Sequence, residues 1–135
     1  MAGGKPVMIE GIETAGNTSE DTVETLLVNG STVTAGYYTI RKGMKLKIYD
    51  VDIEGDVATR VILRVGTDTT TPTNNPIWRQ WNLASPGNLD RSYKMPLIIE
   101  AVENDLYLFL RFIQTSTGRF SVGLNAELID ITEEQ

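Results

Sequence analysis

The chain has 135 residues, 41% hydrophobic and 22% charged, which is the composition of one globular domain. It holds no cysteine and no histidine, which excludes the usual zinc sites, haem ligation through those residues, thiol nucleophiles and Ser-His-Asp or Cys-His catalysis. Eighteen acidic residues against twelve basic ones give a net charge of -6, so phosphate backbones and anionic membranes are repelled and neither nucleic acid nor membrane is an expected partner.

Apolar and polar residues alternate with period two in short runs separated by Gly, Pro, Asn, Asp and Thr clusters, and this predicts an all-β domain. Residues 1–14 read as an N-terminal arm or a first edge strand, and residues 15–135 as a single β-sandwich. Thr18-Ser19-Glu20-Asp21 stands before Val23, Leu26 and Leu27 as a helix start would, yet Thr22, Val23, Thr25 and Val28 are β-branched and favour a strand. Residues 31–40 follow as a further strand. Met44, Leu46 and Ile48 are even-numbered while Val51 and Ile53 are odd, so a bulge or a change of sheet is expected near Asp50. Glu54-Gly55 then suits a tight hairpin into residues 56–67, where Val57, Thr59, Val61, Leu63 and Val65 share the buried face and leave Arg60 and Arg64 in water. Residues 67–76 and 84–91 read as surface loops, with a strand at 77–83 between them. Strands at 93–102, 106–114 and 119–131 follow, and Thr115-Ser116-Thr117-Gly118 predicts a hairpin between the last two. The face of Tyr107, Phe109, Arg111 and Ile113 is too apolar for open water and needs a covering loop or another chain.

Candidate sites are few. Asp50, Asp52 and Glu54 alternate as calcium ligands do, but the twelfth position of such a loop is Val61, so they form at most a weak calcium candidate beside a solvated strand edge. The scattered carboxylates and the lack of a Gly-rich phosphate loop give no ground for an enzyme, and no cofactor is expected. In Trp78-Arg79-Gln80-Trp81-Asn82, a strand would place the two indoles on opposite faces, one in the core and the other either packed under the 67–76 loop or exposed to anchor an interface or stack on a sugar.

The segments Thr34-Ala35-Gly36-Tyr37-Tyr38-Thr39-Ile40, Gly43-Met44-Lys45-Leu46, Ile62-Leu63-Arg64-Val65-Gly66 and Gly118-Arg119-Phe120-Ser121-Val122-Gly123-Leu124 together resemble a viral jelly roll. The family they are most similar to is the small β-sandwich decoration and accessory proteins on the heads and tails of tailed phages. That resemblance implies a structural virion protein, made in the host cytoplasm without secretion, which forms a homotrimer, holds a capsid or tail lattice by surface burial and docks through an N-terminal arm. The corresponding interface candidates are Met8 and Ile9 on the arm, with Trp78, Arg79, Trp81, Tyr107, Phe109 and Ile113 on the body. The alternative is a carbohydrate-binding module or a receptor-binding tail domain that uses an exposed Trp and bound glycan.

Overall fold

Period-two alternation requires that each strand bury one face, and two sheets packed face to face satisfy all of them at once. The computed structural model describes residues 4–132, which form an antiparallel two-sheet β-sandwich. Its strands are β1 (Lys5–Glu13), β2 (Asp21–Thr22), β3 (Thr25–Val28), β4 (Ser31–Thr32), β5 (Tyr38–Ile40), β6 (Met44–Gly55), β7 (Thr59–Gly66), β8 (Ile77–Leu83), β9 (Gly87–Glu100), β10 (Leu106–Gln114) and β11 (Phe120–Asp130). Among the described residues the helical structure is one 3-10 turn, Pro72–Asn74. The segment after Ser19 takes the strand alternative, as β2 and β3.

One sheet has the order β4-β3-β1-β11-β6-β9. In the other, β10, β7 and β8 follow one another, and β2 and β5 share the remaining edge of β10. With β2 to β4 set aside, the sheets are β1-β11-β6-β9 and β5-β10-β7-β8, and every step along the chain between these strands changes sheet except β7 to β8. That connectivity is an eight-stranded jelly roll. The inserted strands β3 and β4 widen the first sheet, and β2 lies beyond β5 along the same edge of β10 in the second.

This topology corrects two expected hairpins. Glu54-Gly55 and Thr115-Ser116-Thr117-Gly118 are corners that carry the chain from one sheet to the other, because β6 pairs with β9 and β11 while β7 pairs with β8 and β10. Of the two alternatives for residues 1–14, the described part is a strand. From Lys5 the chain is strand β1, paired with β11 along its length and with β3 over Ile9 to Ile12; Met1 to Gly3 lie outside the described residues. The segment expected as a loop at 84–91 is strand from Gly87 onward.

The change of phase near Asp50 is a bulge. Opposite β11 the register shifts between Asn125 and Ala126, and opposite β9 it shifts between Ile48 and Asp50. Tyr49 is the extra residue, so Leu46, Ile48, Val51 and Ile53 all reach the core despite their mixed parity. They meet Val61, Leu63, Leu108, Leu110 and Phe112 from the other sheet, and Phe112 and Phe120 join the layers with ring centroids 4.8 Å apart. Each such side chain contributes about 1.5–3 kcal/mol relative to an exposed position.

Candidate interaction surface

Because β8 and β9 end their respective sheets, one side of the sandwich is left open. Side chains from the two strands close its inner edge. Trp81 is 6% exposed and its indole Nε1 donates to the Tyr93 hydroxyl at 2.8 Å, while the Arg79 guanidinium lies 5.6 Å from the centre of the Tyr93 ring. Trp78 sits where the β7–β8 register shifts, opposite Leu63 and Arg64, and packs half-buried on the core. Both indoles therefore contact the core, which corrects the expectation of one on each face: the bulge at Trp78 breaks the alternation that would have separated them.

The exposed apolar side chains lie elsewhere on this same side. In β9 the four residues 93–96 stand against Tyr49 alone, so the strand bows outward. Met95, on that bow, is 84% exposed. Ile98 further along β9, Val102 just beyond it and Ile77 at the start of β8 are 41%, 62% and 45% exposed. Sequence reasoning missed these four, because an apolar residue in an edge strand looks the same as one in a buried strand until the neighbour on each side is known.

The remaining interface candidates are mostly covered by the chain itself. Ile9 is fully buried and Met8 half-buried, since β1 lies inside its sheet instead of projecting as an arm. Phe109 is 4% exposed, which removes it as an anchor; Tyr37, from the turn before β5, sits over it and over Tyr107 at centroid distances of 5.2 and 5.1 Å. Tyr107 and Ile113 are half-buried on either side. The cover that this face needed is thus a loop.

A charged clasp holds the adjoining segment. Glu20 takes a two-pronged contact from Arg64, Nε to Oε2 at 2.8 Å and Nη2 to Oε1 at 2.9 Å, and a second contact from Arg111 Nε. Arg111 also donates to Thr22 Oγ1 at 2.7 Å, and Arg64 to the Asn75 carbonyl at 2.7 Å. Arg64 is therefore clasped rather than left in water. The Arg64 hydrogen bond, aided by Arg111 and opposed by partial burial, holds the Glu20 carboxyl down at about 2. The clasp pins β2 to β10 and β7. Arg111, embedded in an apolar run, was its only signal in the sequence.

Buried amide and carboxyl groups brace the corners. Gln114 accepts from Asn17 N at 3.1 Å and donates to Thr59 Oγ1 at 3.1 Å and the Gly118 carbonyl at 2.9 Å. Glu13 accepts from the backbone of Gly16 and Glu24. In the 67–76 loop Asp68 accepts from Thr70 N, Thr71 N and Asn74, and Asn75 donates back to the Asp68 carbonyl. Those backbone and amide donors lower the Asp68 pKa.

Asp50, Asp52 and Glu54 do alternate along β6, but successive members of such a row stand about 6.6 Å apart and do not converge. Among the described residues no group of three or more carboxylates gathers as a metal site would require. Asp52 instead faces Asp90 across the β6–β9 pair, and a hydrogen bond that its protonated form donates to the Asp90 carboxylate, with some burial and the neighbouring negative charges, raises its pKa.

No family model matches the chain, and no curated protein matches its sequence. Among solved structures, one of infectious bursal disease virus Gx strain is similar at 8% identity over 93% of this chain, with a TM-score of 0.32. This chain spans 29% of the length of that one.

Proposed function

We propose that the chain is a structural virion protein: a homotrimeric decoration, head-stabilising or accessory protein that binds a capsid or tail lattice, of the tailed-phage kind, by burying surface. The observation that carries this reading is the set of exposed apolar side chains, Ile77, Met95, Ile98 and Val102, gathered on or beside the two strands that end the sheets. Jelly rolls recur in capsid and lectin domains, and that fold-level analogy adds support of a general kind. The glycan alternative has lost its stacking platform, because Trp81 is buried and hydrogen-bonded and Trp78 rests on the core.

The test is co-purification. Virus particles from the source culture are banded in a density gradient and their peptides quantified by mass spectrometry. The reading expects peptides of this chain at a constant ratio to the major capsid protein across the band. Their absence from the particles, with the chain present in the lysate, contradicts it.

A further inference from the structure

Local patches on the two open sides of the sandwich carry opposite charge, with exposed Lys5, Arg41 and Lys42 flanking the first and exposed Glu100 and Glu103 flanking the second. Residues 6–40, which supply β2 to β5 and most of β1, contain Glu10, Glu13, Glu20, Asp21 and Glu24 and no lysine or arginine. Glu13 is buried against backbone amides and Glu20 is held by its two arginines, which leaves Asp21 and Glu24 as the exposed charges beside β2. Residues 77–98, which supply β8 and most of β9, contain Arg79, Arg91 and Lys94 against Asp90 alone, in a chain whose net charge is -6. All three cations are exposed, and they share this side with Ile77 and Met95. The acidic side has apolar surface too, in the half-buried Val33 and Tyr37.

We propose that the cationic β8–β9 side of one copy docks on the acidic β2–β5 side of the next, head to tail. The inference rests on the homo-oligomer of the preceding reading and specifies which surfaces meet in it. Apolar burial around Met95 and Ile77 supplies the adhesion, and charge supplies the direction: a symmetric approach of two β8–β9 sides sets Arg91 and Lys94 against their own kind, whereas the head-to-tail approach sets them against Asp21 and Glu24. A contact between two different patches is heterologous, and it generates a closed ring, such as a trimer, when the rotation between copies closes.

Charge reversal tests this with two full-length variants, Arg91→Glu/Lys94→Glu and Asp21→Lys/Glu24→Lys, each checked for folding by thermal melting and then followed by sedimentation equilibrium. Each variant alone is expected to dissociate to monomer, with self-affinity weakened by at least about tenfold. Mixed in equal amounts they are expected to reassemble into species that contain both variants, because the second variant's intact cationic side meets the first's intact acidic side and the two reversed sides are again opposite in charge. If both variants fold and keep the wild-type mass, or if the mixture stays monomeric, the docking assignment is overturned while the homo-oligomer stands. A monomeric wild type overturns both.

Discussion

Glu20 decides how firmly the β2 segment is attached, and its behaviour with pH follows from one shift. Its carboxyl titrates at about 2 in the fold against 4.5 for a free glutamate, so the clasp contributes fully above pH 4.5 and is lost as the pH falls through about 2. Allowing for solvent screening, that contribution is about 2 kcal/mol. Glu20→Gln is expected to lower the unfolding free energy from urea titration at pH 7 by about that much and to have a much smaller effect near pH 2, because Arg64 and Arg111 lose most of their counter-charge in both proteins there. An equal loss at both pH values would show that packing, not charge, holds the segment. Trp81→Phe removes the bond to Tyr93 and leaves its hydroxyl without that donor, at a cost of about 1 kcal/mol in the same measurement. Arg111 and Gln114 were visible in the sequence as polar residues inside an apolar run, but not their partners. Glu20, Thr59 and Asn17 lie 91, 55 and 97 residues away, and no local pattern encodes contacts of that range.

At the scale of elements, side-chain alternation read the strands well because it reports a local requirement: one face in, one face out. It also placed the β6 bulge at the change of parity around Asp50. It failed at the corners, where Glu54-Gly55 and Thr115-Ser116-Thr117-Gly118 specify that the chain bends and not which sheet it joins next. It failed likewise at Trp78, whose bulge has no parity change long enough to see. On the extended side of β6 and β9 Asp52 faces Asp90 directly, and the raised Asp52 pKa means that ionising Asp52 opposes folding above the carboxylate range. Asp90→Asn is therefore expected to raise the melting temperature slightly at pH 7, equivalent to about 0.3 kcal/mol, and to have no such effect at pH 3. A variant less stable at pH 7 would contradict that account. Corner geometry gives a larger effect. Gly16 has φ of +82°, and an added Cβ would stand 2.5 Å from the Gly118 amide nitrogen, so Gly16→Ala is expected to cost more than about 2 kcal/mol in chemical denaturation. Gly30, at φ of +84° with open space around it, should lose only about 1 kcal/mol on the same change.

For the whole molecule, the jelly-roll connectivity explains why the exposed apolar surface is not where the sequence placed it. The late-strand face of Tyr107 and Phe109 is apolar because Tyr37, from the turn before β5, lies over it, and the exposed apolar residues instead collect where β8 and β9 end the sheets. Sequence gave the fold class and the need for cover, and left the position of the edges to topology. The Trp81 environment carries a further expectation: titration with simple sugars leaves the tryptophan fluorescence without a saturable change, and a saturable shift would restore the glycan reading. The most direct test of the central claim, that this chain works by burying surface between folded copies and a lattice, is the solution mass of the wild-type protein by light scattering across a dilution series. The account predicts a concentration-stable mass three times that of the 14.9 kDa chain. A monomer at every concentration would contradict it.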